Sequence, residues 1–233
     1  MKNLVLSLLV VFIVACDKTP DQHTSQNSLD WDGAYLNDSE LLVLNQDYTY
    51  TRTLEANGEK QTSTGKFSFD QSGLIIQLDQ TEEYFQVQEN QLKKMTSKNS
   101  GNETETILKE LTLRTQAWAL IEAKDLSLQG MERPAMIELT ETEMTGFGGC
   151  NRLRGEMKIN EASGEISFSG LGSSKMFCPD SGIEQRIMQY LNQTTTYQML
   201  DGKLILKDEE GTTLLIFEPA VSVKTVITES VNL

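Results

Sequence analysis

Thr145-Gly146-Phe147-Gly148-Gly149-Cys150-Asn151-Arg152-Leu153-Arg154-Gly155 is the stretch whose reading decides the fold of this chain. Residues 145–147 read as one short strand and 157–159 as another, so the stretch joins strands and is not part of a helix. Three glycines this close to a strand end imply a tight turn of positive φ where backbones approach closely. Asn151 is then placed to cap or bridge that turn with its own side chain. Gly148, Gly149, Cys150 and Asn151 form a motif turn with two readings, a ligand loop or a strained corner stapled by Cys150. The corner is favoured.

Outward from this turn the C-terminal half stays β-rich. Strands are expected at 136–139 and 166–168, then at 197–200, 203–207 and 214–217, with Asp201-Gly202 as a hairpin turn. One helix interrupts them. Ile183, Ile187 and Leu191 recur every four residues and give a single apolar stripe that must lie on a sheet. Ser181-Gly182-Ile183-Glu184 fits a capping box, with Glu184 reaching back to the Ser181 amide. Residues 220–233 alternate weakly, as an edge strand or a frayed tail.

The N-terminal half carries no helical period. Leu42 and Leu44, Tyr48 to Thr51, Phe67 and Phe69, then Leu74, Ile76 and Leu78 lining one face, Phe85 and Val87, Leu92, and Ile107 with Leu108 mark short strands. Turns fall every eight to twelve residues, with Asn57-Gly58 the strongest, which is the rhythm of an antiparallel meander closed into a small barrel. A polar loop spans 97–105. The fold class is therefore mainly β: a small antiparallel β-barrel followed by an α+β domain in which one helix packs on an antiparallel sheet. The domains are expected at 30–113 and 114–219, with a tail at 220–233.

The first fifteen residues are a different kind of sequence. Lys2 precedes an apolar run from Leu4 to Ala15, too short to span a bilayer and shaped like a secretory signal. Its end, Ile13-Val14-Ala15-Cys16, resembles a bacterial lipobox, which implies cleavage after residue 15 and lipidation of Cys16. Residues 16–29 are a polar tether containing His23, the chain's one histidine. Membrane contact is thus expected through the N-terminal lipid, in the bacterial cell envelope. The outer membrane facing the periplasm is favoured, and Asp17 leaves the inner membrane open.

With Cys16 lipidated, Cys150 and Cys178 remain in an oxidising compartment, where unpaired thiols are seldom left over. A Cys150–Cys178 disulfide is the economical pairing and would stabilise the fold by roughly 3–4 kcal/mol; two buried free thiols are the alternative.

Several chemistries are excluded or disfavoured. The net charge of −14 repels phosphate backbones and anionic headgroups, so nucleic acid is not an expected partner. With its only histidine in the tether, the folded part holds no Ser-His or Cys-His pair, and two cysteines cannot complete a zinc tetrahedron. Nine methionines lack a copper-binding cluster and read as core filler. No catalytic residue, metal or cofactor is expected.

The motif turn, together with Trp118-Ala119-Leu120, Gly155, Gly172-Ser173-Ser174-Lys175-Met176-Phe177-Cys178, Glu184 and the closing Leu204-x-Leu206 and Leu215-x-Phe217, resembles the META domain of HslJ-like lipoproteins over about residues 118–218. Ser174 stands where that family usually has Thr, and Phe177 where a small residue is common. The resemblance implies a compact β-sheet with one packed helix, association with heat, drug or envelope stress, and no catalytic residue. More weakly, Trp31-Asp32-Gly33-Ala34-Tyr35, Asp47-Tyr48-Thr49-Tyr50 and Gly65-Lys66-Phe67 resemble the N-terminal barrel of NlpE-like envelope lipoproteins. That family's Cys-x-x-Cys loop is absent, so its copper and thiol chemistry does not carry over.

The expected function is a non-enzymatic envelope lipoprotein, a binding or sensing module in envelope stress tolerance with an envelope protein as partner. Two alternatives stand beside it: a small-ligand or copper carrier, and an inhibitor of a basic hydrolase such as lysozyme.

Overall fold

The computed structural model describes residues 31–95, 106–129, 131, 133–177 and 181–220. The expected signal, the tether with Cys16, the 97–105 loop, Cys178 and the tail from 221 lie outside the described residues.

The first half closes into an eight-stranded antiparallel barrel in simple chain order. Its strands are β1 (Gly33–Leu36), β2 (Glu40–Leu44), β3 (Thr49–Ala56), β4 (Glu59–Phe69), β5 (Ile75–Leu78), β6 (Tyr84–Gln88), β7 (Gln91–Met95) and β8 (Ile107–Glu110). Alternation supplies the core, since every second side chain on a strand points inward. Leu42, Leu44, Ile76, Leu78, Phe85, Leu92 and Leu108 are all fully buried there. Eight strands enclose a space that such side chains fill. Trp31, Tyr48, Phe67 and Phe69 gather in a cluster of rings, with Trp31 stacked on Tyr48 at 5.6 Å. Tyr48 itself is not in the strand expected of it. Its φ is +64°, and β3 begins one residue later. The Asp47 carboxylate accepts from the Thr49 amide and hydroxyl and turns the chain there.

The second half was expected as a sheet with one packed helix, and the sheet proves to be closed as well. Its strands are β9 (Trp118–Ala123), β10 (Met136–Leu139), β11 (Glu143–Phe147), β12 (Arg152–Asn160), β13 (Glu165–Ser173), β14 (Thr196–Leu200), β15 (Lys203–Lys207) and β16 (Thr213–Pro219), with α1 (Ser181–Gln193) between β13 and β14. β9 closes the ring between β16 and β10. The seam sits where the helix leaves the sheet: β13 and β14 share the single pair Glu165↔Thr196. Ile187 and Leu191, the apolar stripe read from the sequence, are buried in that barrel's core.

The connection from β8 to β9 is not a loose linker. Leu111 and Leu113 are buried in the second core, as are Ala34 and Val43 from the first barrel. The Trp118 indole donates to the Leu113 carbonyl at 2.9 Å. A Lys60–Glu218 ion pair of 2.8 Å also joins the two barrels. Beside it lies an open cleft of about 280 Å³, between the faces of β3 and β4 and the end of β16.

Candidate functional site: the glycine–asparagine corner

The corner turns between β11 and β12, where the Gly148 amide donates to the Asn151 carbonyl at 2.8 Å. Gly149 has φ +103°, and a Cβ on Gly148 would come within 2.7 Å of Glu184 Cγ. The glycines therefore admit a backbone path and a side chain that any larger residue would block.

Asn151 is buried and bonds to three residues on two other segments. Its backbone N–H donates to Glu184 Oε2 at 2.7 Å, and its Nδ2 donates to Glu184 Oε1 at 3.1 Å. Its Oδ1 accepts from the Ser174 hydroxyl at 3.0 Å and from the Met176 amide at 2.8 Å. Ser174 completes the loop, because its hydroxyl accepts from the Arg152 amide at 3.2 Å. One asparagine thus ties the corner to the first turn of α1 and to the segment leaving β13.

Glu184 carries a role beyond the local one read from the sequence: both of its carboxylate oxygens accept from Asn151. A buried carboxylate is costly unless donors surround it, and two N–H groups plus the positive end of α1 supply them. Ser174, noted for differing from the usual Thr, keeps the hydroxyl that the network uses. Cys150 is half-buried beside this network; Cys178, its expected partner, lies outside the described residues.

The polar atoms of the corner face one another, so its chemistry is that of a lock. What the lock positions is the segment after β13, where Met176 is 67% and Phe177 94% exposed, the two largest apolar exposures among the described residues. On the adjoining outer face the Arg133 guanidinium lies 4.3 Å from the centre of the Phe147 ring.

A second buried polar group went unseen in the sequence. Arg52, on β3, donates to Glu40 at 2.7 Å and pairs with Glu83; Lys94 lies 2.6 Å from Glu83 and 3.6 Å from Glu40. Burial alone would lower the Arg52 pKa, but bonds to Glu83 and Glu40 and their charges outweigh it and hold the guanidinium higher. Burial likewise pushes Glu83 up, yet bonds and charge from Arg52 and Lys94 bring it below its ordinary value. The available signal was parity, since Arg52 shares its inward face with Tyr50.

Among the described residues no group of three His, Cys, Asp or Glu side chains could hold a metal, and no helix is long and apolar enough to cross a membrane. Two closed antiparallel barrels in series, the second carrying one helix and a locked corner, make up the described β protein. Residues 109–221 match the model of the META domain family. Three solved structures are similar over part of the chain. A protein from Burkholderia xenovorans is 25% identical over 46% of this chain and 83% of its own, with a TM-score of 0.38. A candidate lipoprotein from Shewanella oneidensis is 27% identical over 38% and 95%, with a TM-score of 0.31. A DUF4847 family protein from Bacteroides vulgatus is 12% identical over 46% and 93%, with a TM-score of 0.35. No curated protein matches the chain.

Proposed function

We propose that this chain is a lipid-anchored protein of the bacterial envelope whose two barrels form a non-enzymatic binding or sensing module in envelope stress tolerance. The observation that carries the reading is Ile13-Val14-Ala15-Cys16 at the end of an apolar run. Acylation of Cys16 would hold the barrels near a membrane, because each buried methylene contributes about 0.8 kcal/mol and several chains share one cysteine. The outer membrane, facing the periplasm, is the favoured address.

Support for a binding module comes from the residues themselves. The corner's buried carboxylate is bonded to an amide, and Glu40 and Glu83 of the first barrel are paired with cations. None is left poised as a general base in a cleft. The Cys150–Cys178 disulfide belongs to the same proposal. It is supported by the bond from the Met176 amide to Asn151, which brings the chain two residues short of Cys178 against the neighbour of Cys150.

Metabolic labelling with an alkynyl fatty acid, followed by membrane fractionation, tests the address. The full chain is expected to take the label and sediment with membranes, and Cys16→Ser to lose both. An unlabelled, freely soluble chain overturns the reading. Cross-linking in intact cells under envelope stress then tests the role, where a reproducible envelope partner is expected. A cross-linking pattern unchanged by deletion of either barrel would remove it.

A further inference from the structure

The formal charge of −14 is not spread evenly over the second barrel. Half of the chain's six arginines, Arg133, Arg152 and Arg154, lie on the outer surface around the corner, and Lys175 is exposed beside them. The register fixes their proximity. Arg152 faces Phe147 across β11 and β12, Arg133 lies over that same ring, and Arg154 is one outward step further along. The Arg152 amide bonds to Ser174, the residue before Lys175. Directly after Lys175, Met176 and Phe177 are exposed to solvent.

We infer that this rim docks on the headgroup region of an anionic phospholipid bilayer, with Phe177 entering the interface. The inference rests on the proposed lipid anchor only for nearness to a membrane. Long cationic side chains around a projecting apolar ring match an anionic interface, where the ring leaves water and the cations meet phosphates. A flat surface can meet a convex knob without a complementary groove. The outward acids on these strands border the rim on one side. Glu143 and Glu156 face each other two residues beyond Arg154, about 7 Å along the strand from it and about 13 Å from Arg152, and Glu138 is two strands from Arg154, roughly 10 Å away. Arg152 therefore stands beyond a Debye length of about 8–10 Å from Glu143 and Glu156, whereas Arg154 does not.

The lock gives this surface its form. Asn151 holds the Ser174 hydroxyl and the Met176 amide, so the backbone is tied to the barrel up to the residue before Phe177.

The test uses the full lipidated chain carrying Phe177→Trp, reconstituted on vesicles of phosphatidylcholine alone or mixed equally with phosphatidylglycerol. Trp31 and Trp118 are buried and give a constant background. On anionic vesicles the new indole is expected to shift to the blue and to be quenched by brominated acyl chains; on neutral vesicles it stays in water. Raised salt reverses the shift, and Lys175→Glu or the pair Arg152→Glu with Arg154→Glu weakens it, about fivefold per cation removed. An indole that remains water-exposed on anionic vesicles overturns the inference, as does one that is shielded only by an acidic protein. Sedimentation with neutral vesicles reads the anchor separately, so a failed anchor and a failed rim give different results.

Discussion

In the first barrel the buried polar group is a set of two acids and two bases, Glu40, Glu83, Arg52 and Lys94; in the second it is a single carboxylate, Glu184, held by an asparagine. Both sit inside eight-stranded antiparallel rings, so topology does not explain the difference. Position does. The charged set spans β2, β3 and β7 and the residue before β6, and stitches strands to strands. Glu184 spans a helix and a corner, and stitches the one non-strand element to the ring near its weakest seam. A charge network depends on every partner being present, whereas an amide lock depends on donor geometry.

The largest effect should come from breaking the network by halves. Arg52→Met leaves buried Glu40 with only Lys94, 3.6 Å away, and breaking a buried pair by removing one partner costs up to about 3–5 kcal/mol. Chemical denaturation should show that loss, with most of it recovered in Arg52→Met combined with Glu40→Leu, because an apolar pair replaces an ionic one. A double variant no better than the single would show that packing around Arg52, and not its charge, is what matters. The same network gives pH a sign. Glu83 is held below its ordinary value of 4.5, so its contribution is complete above that pH and is lost as pH falls through the lower folded value. Acid unfolding below about pH 4.5 should therefore be steeper in the native chain than in Glu83→Gln, as read by far-ultraviolet circular dichroism.

The corner should respond more mildly. Glu184→Ala removes both oxygens that accept from the buried Asn151 amide and Nδ2, at about 1–3 kcal/mol for each bond lost in a buried setting. Glu184→Gln restores one acceptor and sets its own amide against a donor, so it should recover only part of the loss. Hydrogen exchange at Asn151 and Met176 locates the effect: both amides should exchange faster in Glu184→Ala, while the first barrel stays unchanged. Equal exchange at Met176 would mean that the corner does not hold the exposed segment.

How much of this could be read in advance follows from the range of each interaction. Alternation along β5, β6 and β15, the Asp201-Gly202 turn and the stripe of α1 are local patterns, and they appear where the sequence places them. β9 was not separately foreseen, because Trp118-Ala119-Leu120-Ile121-Glu122-Ala123 alternates only partly; its state is set by partners nearly a hundred residues away in β16. Closure of the second sheet depends on that same pairing, so it was invisible too. Glu184 shows the same limit. Its spacing from Ser181 suggests a local bond, but its two bonds from Asn151, thirty-three residues earlier, have no local signal. The gathering of arginines around the corner also needs the register, since Arg133 and Arg152 are far apart in the chain.

The smallest expected effect tests whether the barrels should be compared as separate bodies at all. Gly202, at the tip of the β14–β15 hairpin, has φ +71°, and a Cβ there would lie 3.1 Å from Leu41 Cδ2 and 3.5 Å from Val43 Cγ2 of the first barrel. Gly202→Ala adds a residue disfavoured at positive φ and presses on the contact, so a loss of about 1 kcal/mol is expected. The informative quantity is where that loss appears. Val43 is buried with the second core, so a shared interface makes both barrels lose stability together, seen as one shifted transition in calorimetry. If only the second barrel's transition moves, the Leu41 and Val43 contact is a touch between independent domains, and the ion network and the amide lock each stabilise their own barrel alone.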